Sequence, residues 1–188
     1  MRVLLVTGAK EKPEELIRFF VRAGCGEVTI AENGGQARRR FAENDFDLVF
    51  IDAPLSDESG QDLAVAATEQ TLAGVLLAVR AEFAEEIGAR TENFGVLTLA
   101  KPLNRNLLYA CLKLAGATRA RLLGLRRENL RLKSKIEEIR LVDRAKCVLI
   151  ERLGMTESQA HRTIEKHAMD LRISRGEVAQ GILKTYET

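Results

Sequence analysis

The sequence predicts an α/β domain built on a five-stranded parallel sheet, followed by a coiled-coil helix and a compact three-helix bundle. Three observations predict it. Short apolar runs alternate with helix-length segments over the first 118 residues. Apolar residues then step by three and four along a densely charged stretch, and two side-chain capping signatures divide the remaining residues.

The apolar runs are "RVLLV" (2–6), "EVTIA" (27–31), "DLVFI" (47–51), "GVLLAV" (74–79) and "GVLTLA" (95–100). Helix-length segments lie between them at about 13–24, 34–44, 60–71 and 82–92, with a fifth opening at Asn104. Strands that alternate with helices pair in parallel and are covered on both faces, which explains their near-continuous apolar character. Pro13 suits a first helical turn and Asn104 an N-cap. "ENGGQARRR" lacks the GxGxxG pattern of a dinucleotide site and reads as a strand-to-helix turn followed by a basic surface.

From Thr118 the texture changes. Leu122, Leu125, Asn129, Leu132, Ile136 and Ile139 form a heptad seam flanked by Arg, Lys and Glu. An asparagine on such a seam weakens the pairing but fixes its register, so the spacing predicts a homodimer. Beyond Ile139 the stripe moves to Val142, Ala145, Leu149 and Leu153. Gly154 then suits a helix end, Thr156 with Gln159 forms a capping box for a helix over about 157–171, and Ser174 with Glu177 opens a last helix. The chain therefore divides into 1–117, 118–139 and 140–188.

Composition narrows the function. No apolar run approaches the roughly 20 residues of a membrane span, so no membrane partner is expected. Cys25, Cys111 and Cys147 are odd in number and far apart, which points to reduced thiols and a cytoplasmic protein. Residues 1–118 carry 13 Lys/Arg and 17 Asp/Glu (net −4), and residues 119–188 carry 16 and 10 (net +6). An acidic first part joined to a basic second part suggests a regulatory domain tied to a polyanion binder. There is no HExxH, P-loop or GxSxG motif. His161 and Glu165 are four apart and could face one metal, but they lack a third ligand, so neither an enzyme nor a metal site is expected.

In an open parallel sheet, ligands gather beyond the carboxyl ends of the strands. Those ends carry Thr7 and Gly8, Asp52, Val79, and Lys101-Pro102. With "DLVFID", Gly60 eight residues past the aspartate, and "LAKP", residues 2–117 resemble the receiver domain of bacterial response regulators, a flavodoxin-like fold. The resemblance implies Asp52 as phosphoacceptor and Lys101 as the charge-neutralising lysine. It also exposes departures. "VTGAK" stands where the family has an acidic pair for Mg²⁺, Val79 replaces a hydroxyl, and Thr98 replaces an aromatic. Phosphoryl transfer rests on metal and positioning, and Mg²⁺ wants carboxylate ligands. Glu11 and Asp57 are near in sequence but off the expected positions. Asp52 and Lys101 are thus expected to form a vestigial, partly buried ion pair in a pseudo-receiver, with no cofactor and Mg²⁺ at Asp52 disfavoured.

"RAKCVLIERLGMTESQAHRTIEKHAMDLRISRGEVAQGIL" makes residues 136–184 resemble the ANTAR module, the RNA-binding domain of bacterial transcription antiterminators. The resemblance implies a dimer that binds paired stem-loops in leader mRNA and so prevents a terminator hairpin. It also implies control by a sensor kinase or a sequestering regulatory protein, and the depleted acceptor site favours the second. RNA loops are read by stacking and by base-edge contacts, with phosphates met by Lys and Arg. The candidate RNA-binding residues are Arg140, Arg144, Lys146, Arg162, Lys166, Arg172 and Arg175, with His161 as a stacker. The competing reading is a phosphorylation-dependent response regulator with a helix-turn-helix-like, DNA-binding output.

Overall fold

The computed structural model describes residues 1–8 and 13–186, in two compact units, Met1–Gly124 and Leu125–Thr188. The first unit alternates β1 (Arg2–Thr7), α1 (Glu14–Arg22), β2 (Glu27–Ala31), α2 (Gly34–Glu43), β3 (Leu48–Asp52), α3 (Gln61–Gln70), β4 (Gly74–Arg80), α4 (Ala84–Thr91) and β5 (Val96–Lys101). The strands form one parallel sheet in the order β2-β1-β3-β4-β5. Every strand predicted from the apolar runs is present. The order reverses between β1 and β3, the switch point at which open α/β sheets place their ligands.

All five residues of β3 are buried, as expected of a central strand covered on both faces. One face packs Val49, Ile51 and Leu77 against Phe41, Leu63, Ala67 and Ile87 from α2, α3 and α4. The other packs Leu5, Phe50 and Leu76 against Phe20 from α1 and against Leu108, Leu112 and Ala115. Phe20 meets Phe50 edge-on at 5.5 Å between ring centroids, a favoured aromatic geometry.

Local chemistry sets the helix starts. The Asn33 side chain accepts from the Gln36 amide at 2.8 Å and caps α2. Asn104 accepts from the Asn106 and Leu107 amides at 2.9 and 3.2 Å and opens α5 (Arg105–Leu153). Pro13 sits at the N-cap of α1 rather than within its first turn. Gly60, at φ +90°, turns the chain into α3, and a Cβ there would lie 3.2 Å from Ala53 Cβ. Both its left-handed backbone and that crowding favour glycine.

The second unit contains the C-terminal part of α5, then α6 (Glu157–Leu171) and α7 (Arg175–Tyr186). Both predicted capping boxes form. The Thr156 amide donates to Gln159 Oε1 at 2.9 Å and the Gln159 amide to Thr156 Oγ1 at 3.3 Å. The Ser174 amide donates to Glu177 at 2.8 Å and the Glu177 amide returns to Ser174 Oγ at 3.1 Å. The Ser174 amide, and then the Ser174 hydroxyl, which also donates to Glu177 Oε2 at 2.8 Å, hold the Glu177 carboxyl below its usual range. Gly154, at φ +63°, ends α5. Ala145, Leu149, Ala160, Ile164, Val178 and Leu183 lie in one buried cluster, so the stripe shift past Ile139 supplies this core.

Helix α5 approaches β4 at a point without side-chain volume to spare. A Cβ on Gly74 would stand 2.6 Å from Ala115 Cβ and 3.2 Å from its Cα. Gly74→Ala should therefore destabilise the chain by about 1–3 kcal/mol through overpacking. Gly124→Ala, in the same helix with nothing within 4 Å, should stabilise it by roughly 0.5–1 kcal/mol. Urea unfolding of the two variants checks both signs.

Candidate functional site

Asp52 closes β3 at the carboxyl edge of the sheet, between Thr7 on β1 and Ala78 on β4. It is only 6% exposed. Lys101, at the end of β5, brings its ammonium 2.6 Å from Asp52 Oδ1 and donates to the Ala53 carbonyl at 2.8 Å. The contact with Oδ1 is a charge contact rather than a directed hydrogen bond. Both acceptor-like residues are thus brought together as the sequence expects, joined directly to each other. Thr7 Oγ1 beside them is buried without a hydrogen-bond partner among the described residues.

The surrounding positions hold other roles. Asp57 turns away to α2, where its carboxylate accepts from the Gly34 and Gly35 amides at 2.9 and 3.1 Å. The Gly34 amide bond holds the Asp57 carboxyl below its usual range. Glu58 makes a bidentate pair with Arg38 of the same helix, and Ser56 Oγ donates to the Glu32 carbonyl at 3.4 Å. The loop after Asp52 is therefore fastened at three points to α2 and the turn that precedes it. Val79 is buried. Thr98, in the aromatic position, lies 3.2 Å from the hydroxyl of buried Thr91 in α4.

The described carboxylates around Asp52 do not gather into a metal-binding set. Among the described residues no group of three His, Cys, Asp or Glu side chains converges on one point. Asp57 is committed to backbone amides, and Asp52 faces an ammonium. Glu11 lies outside the described residues. Among the described residues Asp52 is the carboxylate at this edge of the sheet, and the Lys101 ammonium already faces it, whereas a divalent ion prefers one or two carboxylates plus further oxygens.

Asp52 and Lys101 open on a cleft of about 590 Å³ lined also by Glu14, Glu15, Arg18 and Arg105. These four residues were not among the expected site positions. Only the "PEE" start of α1 hinted at them, because their proximity to Asp52 is created by the packing of α1 and α5 on one sheet face. Lys101→Met should leave the Asp52 carboxylate uncompensated and destabilise the chain by about 3 kcal/mol. The double variant Asp52→Asn/Lys101→Met should recover most of that loss. Denaturant titration of the single and double variants measures the coupling.

In the second unit, the eight candidate RNA-binding residues divide by their surroundings. Lys146 lies between Asp143 at 2.9 Å and Glu157 at 3.0 Å, and the Asp143 and Glu157 hydrogen bonds hold its ammonium above the usual lysine range. His161 Nε2 and Arg175 Nη1 share Glu165 Oε1 at 3.3 and 3.5 Å. These three residues meet around one groove of about 180 Å³, which Lys135 and Glu138 also line. Arg140 is exposed and pairs with Glu137 at 3.6 Å, and Arg144 is exposed on the same helix.

Arg162 and Lys166 differ. They stand one turn apart on the exposed face of α6 and make no ion pair among the described residues. Arg172, exposed at the end of that helix, has a left-handed backbone, φ +55°. The structure therefore assembles two basic groups, one bound internally by carboxylates and one open to solvent. The carboxylate partners Asp143, Glu157 and Glu165 were missed by the sequence reading, though Asp143–Lys146 and His161–Glu165 have the i,i+3 and i,i+4 spacing of helical pairs.

Residues 130–183 match the ANTAR domain, and the match begins inside the heptad stretch. Over 181 residues the chain is 29% identical to the transcriptional regulatory protein PdtaR of Mycobacterium tuberculosis, in strains CDC 1551 and H37Rv, covering 93% of this chain and 88% of the relative. A two-component response regulator from Clostridium difficile is similar at 25% identity and TM-score 0.52, over 65% of this chain and 98% of that one. A response regulator receiver domain protein from Clostridium thermocellum shares the fold at 21% identity and TM-score 0.57, again over 65% and 98%.

Proposed function

We propose that this chain, which carries an ANTAR domain behind a domain of receiver fold, is an RNA-binding transcription antitermination regulator rather than an enzyme. It acts as a homodimer on tandem stem-loops of leader mRNA and holds them so that a terminator hairpin does not form. The observation that carries this reading is the ANTAR match over 130–183, within which Arg162, Lys166 and Arg172 stand exposed on or beside one helix. Phosphates meet such side chains at little desolvation cost, whereas Lys146, His161 and Arg175 must first leave their carboxylate partners. The open group is therefore assigned to phosphate contact, and the grooved group to positioning or to base edges.

Control passes through the first unit without phosphorylation. Asp52 is neutralised by Lys101, the described donors suit no Mg²⁺, and Val79 offers no hydroxyl to a phosphoryl group. A regulatory protein that sequesters the chain fits this site better than a sensor kinase does. Incubation with Mg²⁺ and a small phosphodonor should leave the intact mass unchanged. A stoichiometric phosphoryl adduct on Asp52 would refute the pseudo-receiver assignment.

Binding is tested against a two-stem-loop leader RNA and a duplex DNA of equal length, each over a salt series. The RNA should bind more tightly, and equal affinity for the two polymers would remove the antitermination reading. Arg162→Ala/Lys166→Ala should weaken RNA binding and reduce the salt slope by about 1–2, as expected when one or two phosphate contacts are lost.

A further inference from the structure

We propose that the self-pairing surface of α5 begins at Leu107, inside the first unit, and that a second copy of this chain covers it there. The inference rests on the homodimer reading above and extends it into a surface that reading does not assign.

Counted back from Asn129, a strict heptad register passes through Leu125, Leu122, Thr118, Ala115, Cys111 and Leu108. Ala115 and Leu108 are 3% and 2% exposed and belong to the core beneath the sheet. They cannot also face another chain. One additional step of four, from Leu114 to Thr118 and again to Leu122, moves the stripe off Ala115 and Leu108 onto Leu114 and Leu107, with half-buried Cys111 common to both registers. Leu107 and Leu114 are 52% and 55% exposed, within the 44–59% range of the five apolar seam residues downstream. At about 100° per residue, the positions from Leu107 to Ile139 then fall within an arc of about 100°. A break of this kind is a stutter, which locally unwinds a coiled coil without ending it.

Two features identify the occupant as a second copy. An asparagine at a core position is satisfied when another lies opposite, as a parallel pair of identical chains provides. A stutter likewise needs a partner with the same break at the same level, which an in-register copy has. Without a partner, leucines at this exposure and spacing would leave a long apolar stripe facing water.

Single cysteines test the proposal in the full chain. In a Cys111→Ala/Cys147→Ser background, with buried Cys25 left in place, Leu114→Cys, Leu125→Cys and Tyr109→Cys are treated with a short bismaleimide at low protein concentration. Tyr109 is exposed on the opposite side of the helix. Cysteines at 114 and 125 should cross-link and the one at 109 should not. Cross-linking at 125 without 114 overturns this inference and leaves the dimer standing, as does equal cross-linking at 109 and 114. Failure at both 114 and 125, with a monomer by sedimentation, removes the homodimer itself. Independently, Leu114→Glu should raise the dimer dissociation constant at least about tenfold while leaving the circular dichroism spectrum unchanged. An unchanged constant also overturns the inference.

Discussion

A carboxylate at the end of the most buried strand needs a counter-charge, because an ion held away from water is costly unless it is paired. In this chain the need is met from two strands away. Lys101 reaches past β4 to Asp52, and its second bond, to the Ala53 carbonyl, secures the start of the following loop. The pair thereby ties the ends of β3 and β5 together just before Leu103 packs on the core and Asn104 opens α5. The entry of the longest helix is set by an electrostatic requirement of the central strand.

Around that pair, neighbouring side chains are committed to structural contacts. Asp57 and Glu58 bind the acceptor loop to α2, Thr98 faces a buried hydroxyl in α4, and Val79 adds an apolar wall. These contacts are compatible with the proposal that the first unit presents a surface to partners while the second meets RNA.

Much of the fold was legible in the sequence because it follows from local chemistry and periodicity. The five strands, the two capping boxes and the stripe shift after Ile139 all sit where the residues put them. Less of the site was legible. The Asp52–Lys101 pair could be read because motif spacing carries it. The bonds of Asp57 to Gly34 and Gly35 join residues more than twenty apart, and no local pattern announces them. The basic residues of the second unit show the same limit. Their number was visible, but the bracketing of Lys146 by one acid on its own helix and another on α6 appears only once those helices have packed.

The contact of Gly74 with Ala115 has a mechanical side. Where a glycine backbone meets a single methyl group, there is almost nothing to compress. The helix cannot move closer to the sheet at that level. The glycine thus sets the closest approach of α5 to the sheet, as a stop does for a sliding part.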